Sequence, residues 1–550
     1  MPLHILPWLS WHSELLAFAS VLLLSAGLIM NHLVKDRRPI FLPKIGWPLG
    51  VLCMVIALQV VTNRIVFAGD AVVLVFYMLL CVFTLTLGYS VAATKEQRLT
   101  SAPPFVDQFA ILVVSGGLFS VVVALAQTLD IWESVSSIAR MHYLRRPGGN
   151  VGQPNHLATL TLFSIASTVY LIESRRMRTF VALPIVATLL LGLAITESRS
   201  GVLGLVLMSA WWGIKRRRVS FVTSARALGL WLAFFACCFS LWPTLFNFIQ
   251  EGRWTGTTIA QVNTSVGTRL VVWPQLWQAA LIHPWFGWGL REVSTAHNAV
   301  LHAYAVSEPF AYAHNVVLDL AVGIGLPLTL LLTGVTFVWL WRRLRDTKDI
   351  LSWYCLALAL PFGGHSMLEY PFAYAYFLVP VMFLLGVLEA RQTAVWVVRI
   401  PLRPAAIAWG LVCVGMSWSV VEYIKIEEDF RILRFEAMRM GQTPSDYERP
   451  KIVLLTQLGA LLAGARIVPL PGMTPDSVEL ARKVAMRFAW SATQNRYALS
   501  LALNGNPEEA LRQLKVMRAT LSQKDYEAVR AQWELLARDK YPQLGNLTFP

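Results

Sequence analysis

The sequence predicts an all-α protein: a polytopic membrane helical bundle of about 12 transmembrane helices, with a large extracytoplasmic loop and a C-terminal soluble helical domain. Three observations lead there. Of 550 residues, 56% are hydrophobic and only 14% charged, where soluble proteins average about 25% charged. The charge is also uneven: residues 1–424 carry 29 Lys/Arg and 18 Asp/Glu, while residues 425–550 carry 18 and 14, the density of a soluble body. Finally, twelve apolar stretches approach the ~20 residues that cross a bilayer. This composition excludes a cytosolic enzyme, a secreted disulfide scaffold and a disordered chain. The net charge of +15 reports membrane orientation before it suggests nucleic acid, and no nucleic-acid partner is expected.

The apolar stretches lie at about 14–33, 45–62, 71–92, 108–129, 155–172, 180–196, 201–214, 227–249, 315–341, 352–368, 372–390 and 404–424. Alternate connections hold Lys35/Arg37/Arg38/Lys44, Lys95/Arg98, Arg175/Arg176/Arg178, Lys215 to Arg218 with Arg226, Arg342/Arg343/Arg345/Lys348 and Arg391/Arg399/Arg403. These are 21 basic residues against 8 in the opposite connections, and the positive-inside rule puts the rich set in the cytoplasm. Outside remain a short N-terminus, a loop at 130–154, a turn at 197–200, a long loop at about 250–314, a turn at 369–371 and the tail. Of ten His, only His32 falls near a cytoplasmic end, so the polar chemistry faces outward. The six Cys all lie inside apolar runs without a C-x-x-C, which predicts neither a zinc site nor a disulfide framework. No basic n-region marks a cleavable signal.

Four constellations on that outer side carry candidate chemistry. Arg145-Arg146-Pro-Gly-Gly-Asn150-Val-Gly152-Gln153-Pro154-Asn155-His156-Leu157-Ala158 runs directly into a span. Glycines let backbone donors approach a ligand, Asn150 or Asn155 is placed to cap the helix, and a helix start beside two arginines favours an anion. The alternative is a plain Gly/Pro turn. In Thr196-Glu197-Ser198-Arg199-Ser200-Gly201 an arginine wedged between membrane helices marks a ligand pathway, unless Glu197 neutralises it as a structural pair. Within 268–282, Arg269, Trp273 and Trp277 share one helical face at i, i+4 and i+8. An interfacial aromatic belt explains the tryptophans but not the arginine. Pro284-Trp-Phe-Gly287-Trp-Gly289 then makes a turn before Arg291.

The fourth constellation is His314-Asn315, preceded by His297-Asn298 and His302 and followed by Gly323 and Gly325. A histidine at the mouth of a membrane helix suits a general base or a donor to a phosphate oxygen. The histidine spacings are not those of a zinc helix, and the outer loops lack an Asp-x-Asp pair, so neither metal nor cofactor is expected. Any anionic substrate group would then be met by arginines, whose fork matches phosphate geometry.

These residues resemble the O-antigen ligase and polymerase superfamily, and within it the PglL-type O-linked protein oligosaccharyltransferases of Gram-negative bacteria. Gly149-Asn-Val-Gly-Gln-Pro-Asn-His-Leu-Ala-Thr159 resembles the protein-glycosylating branch. Glu197-Ser-Arg-Ser-Gly201 resembles the superfamily's Ser-Arg-Ser turn. Arg269, Trp273, Pro284-Trp-Phe-Gly-Trp-Gly289 and Ala313-His314-Asn315, followed after nine intervening residues by Gly325, resemble its catalytic periplasmic loop. The likeness spans roughly residues 8–390. It implies a metal-independent enzyme of the bacterial inner membrane, with its active site and C-terminal domain facing the periplasm. Its donor partner would be an undecaprenyl diphosphate-linked glycan, and its acceptor a Ser or Thr of a periplasmic or pilin-like protein. By motif, Arg199 and Arg269 would hold the diphosphate, and His314 would activate the hydroxyl or bind the leaving group. Arg145, Arg146, Asn155, His156, Arg291, His297 and Asn315 are expected to line the substrate site. Fixed cations aimed at developing charge are the usual remedy for a dianionic leaving group.

At the spacing where ligase motifs carry another small residue after Gly325, this chain has Leu328. Family members resembling Leu6-Pro-Trp-Leu-Ser-Trp-His-Ser-Glu14 have a further span before it, so an upstream span is also expected. The expected domains are a transmembrane O-antigen ligase-like catalytic domain over 1–424 and a periplasmic helical domain over 425–550. In the latter, the 498–514 run reads as two helices around Gly505-Asn-Pro507, either a tetratricopeptide-type hairpin or a plain pair. Its role is acceptor recognition or support of the long loop. Within the same chemistry, O-antigen ligase, with a lipid A-core acceptor, and O-antigen polymerase are the alternatives. A transporter of a lipid-linked anionic solute is more distant, since transporters place ionisable groups at mid-membrane in repeated halves.

Overall fold

The computed structural model describes residues 6–32, 39–93, 104–129, 145–250, 264–392 and 396–550. The basic connections expected at Lys35, Arg37 and Arg38 and at Lys95 and Arg98, most of the 130–154 loop and residues 251–263 lie outside the described residues. The helices are α1 Trp11–Asn31, α2 Trp47–Val61, α3 Ala68–Ala92, α4 Pro104–Leu129, α5 Pro154–Glu173, α6 Thr179–Ile195, α7 Arg199–Lys215, α8 Ala225–Gln250, α9 Thr264–Ile282 and α10 Val293–Leu301. They continue with α11 Val316–Ile324, α12 Leu326–Asp346, α13 Ile350–Ser366, α14 Ala375–Ala390 and α15 Leu402–Ala437. The tail adds α16 Thr456–Ala465, α17 Pro475–Arg487, α18 Ser491–Leu503, α19 Pro507–Thr520 and α20 Gln523–Asp539.

The protein is an all-α membrane protein. Among the described residues seven helices are long and apolar enough to cross a membrane: Lys44–Val61, which contains α2, with α1, α3, α4, α5, α8 and α15. Each expected stretch coincides with a helix, with two differences of extent. The 315–341 stretch is two helices, α11 and α12, parted at Gly325. The stretch ending at 424 continues unbroken to Ala437, with Gly410 and Gly415 inside the helix. A two-stranded antiparallel ladder pairs β1 Ile40–Pro43 with β2 Val397–Ile400, in register Ile40 to Ile400; β-branched Val397, Val398 and Ile400 favour it.

The chain divides into two compact units that are not continuous in sequence. Unit 1 comprises Met1–Gly50, Tyr77–Thr257 and Thr336–Cys413; unit 2 comprises Val51–Phe76, Thr258–Val335 and Val414–Pro550. The axis of unit 1 is α5, whose apolar window is 89% buried against 11% for that of α8. A helix surrounded by others needs small residues on all sides. Accordingly Thr161, Ser167 and Thr168 return their hydroxyls to the carbonyls of Leu157, Phe163 and Ser164 one turn back, at 2.7–2.8 Å. Ser164 donates both to Leu160 O one turn back and to Val113 O of α4, at 2.9 Å each, over Gly117, where a Cβ would meet the Ser164 hydroxyl at 2.0 Å. Tyr170 of α5 stacks on Tyr354 of α13 at 4.4 Å.

In unit 2, α9, α10 and α11 enclose a small core of Val272, Leu276, Ala280, Val293, Ala296 and Val322. The tail helices pack in sequence, and the Gly505-Asn-Pro507 turn forms between α18 and α19 with Gly505 at φ +82° and Pro507 at the first helical position.

Candidate functional site

The first constellation and the Ser-Arg-Ser turn meet within unit 1. The chain before α5 is fixed by an amide clamp: Gln127 donates to Gly149 O at 3.1 Å and accepts from Gly149 N at 2.8 Å. Arg145 pairs with Glu197 at 2.6 Å, and Arg146 Nε donates to Thr196 O at 2.9 Å. Burial lowers the pKa of Arg146, and the Glu197 charge opposes that shift. Ser198 caps α7 by accepting from Gly201 N at 3.1 Å, and its hydroxyl donates to Asn155 Oδ1 at 2.7 Å. Asn155 Nδ2 reaches Glu369 Oε1 at 3.3 Å. Arg199, the first residue of α7, is exposed. Three guanidinium groups against Glu197 leave a local cationic excess at a helix start, where an anion is favoured.

Several expectations change here. Neither Asn150 nor Asn155 caps α5. Gln153 stands at the N-cap without a side-chain bond, because Asn150 accepts from Ser120 at 2.6 Å and Asn155 bridges Ser198 and Glu369. Arg199 is exposed rather than wedged between helices, and Glu197 neutralises Arg145 in its place. His156 is buried, with Nδ1 3.1 Å from the Tyr376 hydroxyl and its ring against Tyr374 and Phe377. It packs α5 against α14.

Unit 2 carries the other set. The long loop is held by glycines at two close backbone crossings. Trp288 N and Gly289 N donate to Val322 O and Gly323 O at 2.8 and 3.1 Å, and Leu326 N donates to Pro284 O at 2.7 Å. Gly287 (φ +67°) would put a Cβ 2.5 Å from Gly323 C, and Gly325 (φ +83°) one 2.5 Å from Trp285 C. No other residue fits either position, which explains both the turn glycines and the break between α11 and α12. Gln59 locks the crossing, donating to Gly323 O at 2.8 Å and accepting from Leu290 N at 2.9 Å.

His314 follows from this frame. Its backbone is left-handed at φ +52°, an uncommon state for a residue with a Cβ, and both neighbours are pinned. Ala313 N donates to Asp319 Oδ2 at 2.7 Å, and Ala313 O accepts from Trp273 Nε1 at 2.8 Å. Asn315 caps α11, accepting from Val317 N and Leu318 N at 3.0 and 3.1 Å. The half-buried His314 ring lies 4.5 Å from that of Phe310. Arg269 sits one turn before Trp273 on α9, partly exposed. Trp273 thus holds the histidine loop rather than acting only as a belt anchor. Arg291, also left-handed at φ +74°, lies over Tyr312 at 4.5 Å, with its Nε 3.8 Å from Asp70. His297 is buried, 2.9 Å from Gln275 Oε1 and 3.3 Å from Ser307, and burial pushes its pKa down to about 4. A neutral imidazole in that setting ties α10 to α9.

The tail braces the loop within unit 2. Asn298 donates to Gln513 Oε1 at 3.2 Å, Arg512 donates to Asn298 O at 3.2 Å, and Ser307 N donates to Ala519 O at 2.6 Å. Gln59, Asp70 and Asp319 were missed in the sequence. Asp319, an acid one turn inside the helix opened by His314-Asn315, offered the best signal, since an ionisable residue there is expensive without a task.

Comparison with known proteins finds three family models and two relatives. Residues 147–172 match the family model described as protein glycosylation ligase, 184–333 that described as O-antigen ligase, and 353–536 that described as virulence factor membrane-bound polymerase, C-terminal. A general O-oligosaccharyltransferase of Acinetobacter baylyi is 27% identical over 544 residues, 96% of this chain and 90% of the relative. A ComP-specific O-oligosaccharyltransferase of the same organism is 26% identical over 373 residues, 66% of this chain and 65% of the relative.

Proposed function

We propose, because the chain belongs to the O-antigen ligase superfamily and within it to the PglL-type protein O-oligosaccharyltransferases, that it moves a preassembled oligosaccharide from undecaprenyl diphosphate to Ser or Thr hydroxyls of periplasmic or pilin-like proteins. It is a membrane glycosyltransferase that acts on proteins with a lipid-linked glycan. The acceptor oxygen attacks the anomeric carbon, the bond from that carbon to phosphate oxygen breaks, and undecaprenyl diphosphate leaves with the bonding pair. We assign Arg199 and Arg269 to the diphosphate, with Arg145, Arg146 and Arg291 as further cations, and Asn155, His156, His297 and Asn315 to the frame. His314 takes the hydroxyl proton or contacts the leaving phosphate. No metal enters the scheme; arginines stabilise the charge that develops on the leaving group.

The observation that carries this reading is the left-handed backbone of His314 between two pinned neighbours, since strain of this kind is retained where a side chain must be presented. The excess of basic residues in alternate connections supports an inner-membrane protein with these sites and the tail in the periplasm. Catalysis is assigned to 1–424, and 425–550 to loop support and acceptor contact. The test is mass spectrometry of periplasmic and pilin proteins from cells with the intact gene, without it, and with His314→Ala. Loss of Ser/Thr-linked glycan in both altered strains is expected. Unchanged protein glycans with loss of O-antigen from lipopolysaccharide would move the assignment to O-antigen ligase.

A further inference from the structure

Two helices of unit 1 turn unpartnered polar groups toward one apolar cavity. It lies between α5, α6, α7, α8 and α13 and measures about 480 Å³, its open side included. Leu205, Met208, Ser209 and Trp212 line it from α7, at the i, i+3, i+4 and i+7 spacing of one helical face. Trp353 lines it from α13. Trp212 and Trp353 are 7% and 1% exposed, and their indole Nε1 groups, like the Ser209 hydroxyl, are buried without a hydrogen-bond partner among the described residues. An indole N–H is a donor only and normally finds an acceptor when buried. The cavity therefore offers donors to a molecule that brings acceptors into apolar surroundings.

The charge beside it has one sign. Lys215, Arg216, Arg217, Arg218 and Arg226 follow Trp212, and no Asp or Glu occurs from 198 to 250. Arg216 extends the lining face of α7 by one turn, its guanidinium 5.6 Å over the Trp212 ring. Arg216, Arg217 and Arg226 are exposed and form no ion pair among the described residues. Glu173, which ends α5, is engaged by the backbone, accepting from Val222 N and from Thr223 N at 2.9 Å.

We propose that this cavity binds an anionic glycerophospholipid of the cytoplasmic leaflet: an acyl chain fills the apolar space, ester carbonyls accept from Trp212 and Trp353, and the phosphate meets Arg216. Basic pockets between membrane helices on the cytoplasmic side attract anionic headgroups, and the positive-inside rule assigns this end of α7 to the cytoplasm. An isoprenoid chain would fill the same space yet leave the indoles unmet, since it carries no ester. Arg199 opens α7 and Arg216 follows its end, so the lipid site stands at the far end of the helix from that candidate arginine and does not depend on the transfer reaction.

Native mass spectrometry of the full-length chain in detergent, titrated with dioleoyl phosphatidylglycerol, reads the lipids bound and their dissociation constant. One saturable phosphatidylglycerol per chain is expected. Dioleoyl phosphatidylcholine, with the same chains and esters but a net-neutral headgroup, should bind at least about fivefold more weakly. Arg216→Gln should weaken phosphatidylglycerol about fivefold. Trp353→Phe, which keeps a ring but removes the donor, should weaken both lipids about threefold. Ser209→Phe, which fills the cavity, should weaken them roughly tenfold or more; where it does not fold, the other two variants decide. Equal affinity of the wild type for the two lipids, or wild-type affinity in either Arg216→Gln or Trp353→Phe, overturns the proposal. So does displacement of bound phosphatidylglycerol by an equal concentration of undecaprenyl phosphate, which would give the cavity to an isoprenoid chain.

Discussion

Unit 1 and unit 2 present their candidate residues by different physical means. In unit 1 the buried hydroxyls of Thr161, Ser167 and Thr168 along α5 return to carbonyls of the same helix, and Arg199 occupies an unstrained first helical position, exposed. In unit 2 the candidate residues His314 and Arg291 both stand in left-handed backbone, and Asp70, beside Arg291, is buried in a pair with Arg487. A cation at a helix start needs little support. A histidine in a strained turn needs anchors on both sides, here Asp319, Trp273 and the Asn315 cap. Substitution of Arg199 should therefore act through lost charge alone, and that of His314 through chemistry and framework together.

The largest effect is expected at His314. His314→Ala should lower turnover about 10²- to 10⁴-fold. His314→Gly should be as inactive yet roughly 1 kcal/mol more stable than His314→Ala, because glycine accepts the left-handed backbone. Thermal unfolding of the two variants compares them, and an alanine variant as stable as the glycine one would remove strain from the picture. Next come Arg199→Ala and Arg269→Ala, each costing about 10²-fold in activity at saturating acceptor. Arg199→Ala should leave the unfolding midpoint where it is. If it unfolds earlier, the contrast between the units breaks.

Gly325→Ala should destabilise by about 2–3 kcal/mol, since its Cβ would sit 2.5 Å from the Trp285 backbone in a left-handed turn. Limited proteolysis within 284–325 reads that loss. The smallest effect concerns pH. His297 stays neutral when folded down to about pH 4, whereas the unfolded chain takes up the proton near pH 6.5. The unfolded state thus binds more protons across that interval, and stability falls as pH drops through it, by about 1 kcal/mol at pH 5.5. His297→Gln should flatten that slope in unfolding curves taken between pH 7 and 5.

Much of the fold was legible because apolar length and periodicity are local properties: helices coincide with the expected stretches, and the Gly505–Pro507 turn stands where its residue types put it. The candidate residues were legible as types and less so as roles. His297 and His156 read as ligand contacts by chemistry, and burial makes them packing groups. The partner of Glu197 and the bond that uses Asn155 depend on residues far along the chain, Arg145 and Glu369. Sequence spacing cannot reveal which of two nearby cations a carboxylate meets. The contacts that hold the loop frame of unit 2 were the least visible, because Gln59 lies 264 positions from Gly323 and Asp70 417 positions from Arg487.

Reconstitution tests the assignment most directly. Purified wild-type and His314→Ala protein in nanodiscs are given an undecaprenyl diphosphate-linked glycan and an acceptor protein, and the acceptor is read by intact-mass spectrometry with site mapping. The expected result is one glycan mass on a Ser or Thr with the wild type and none with His314→Ala. Equal glycan transfer by both proteins, or transfer only when lipid A-core replaces the acceptor protein, would contradict it.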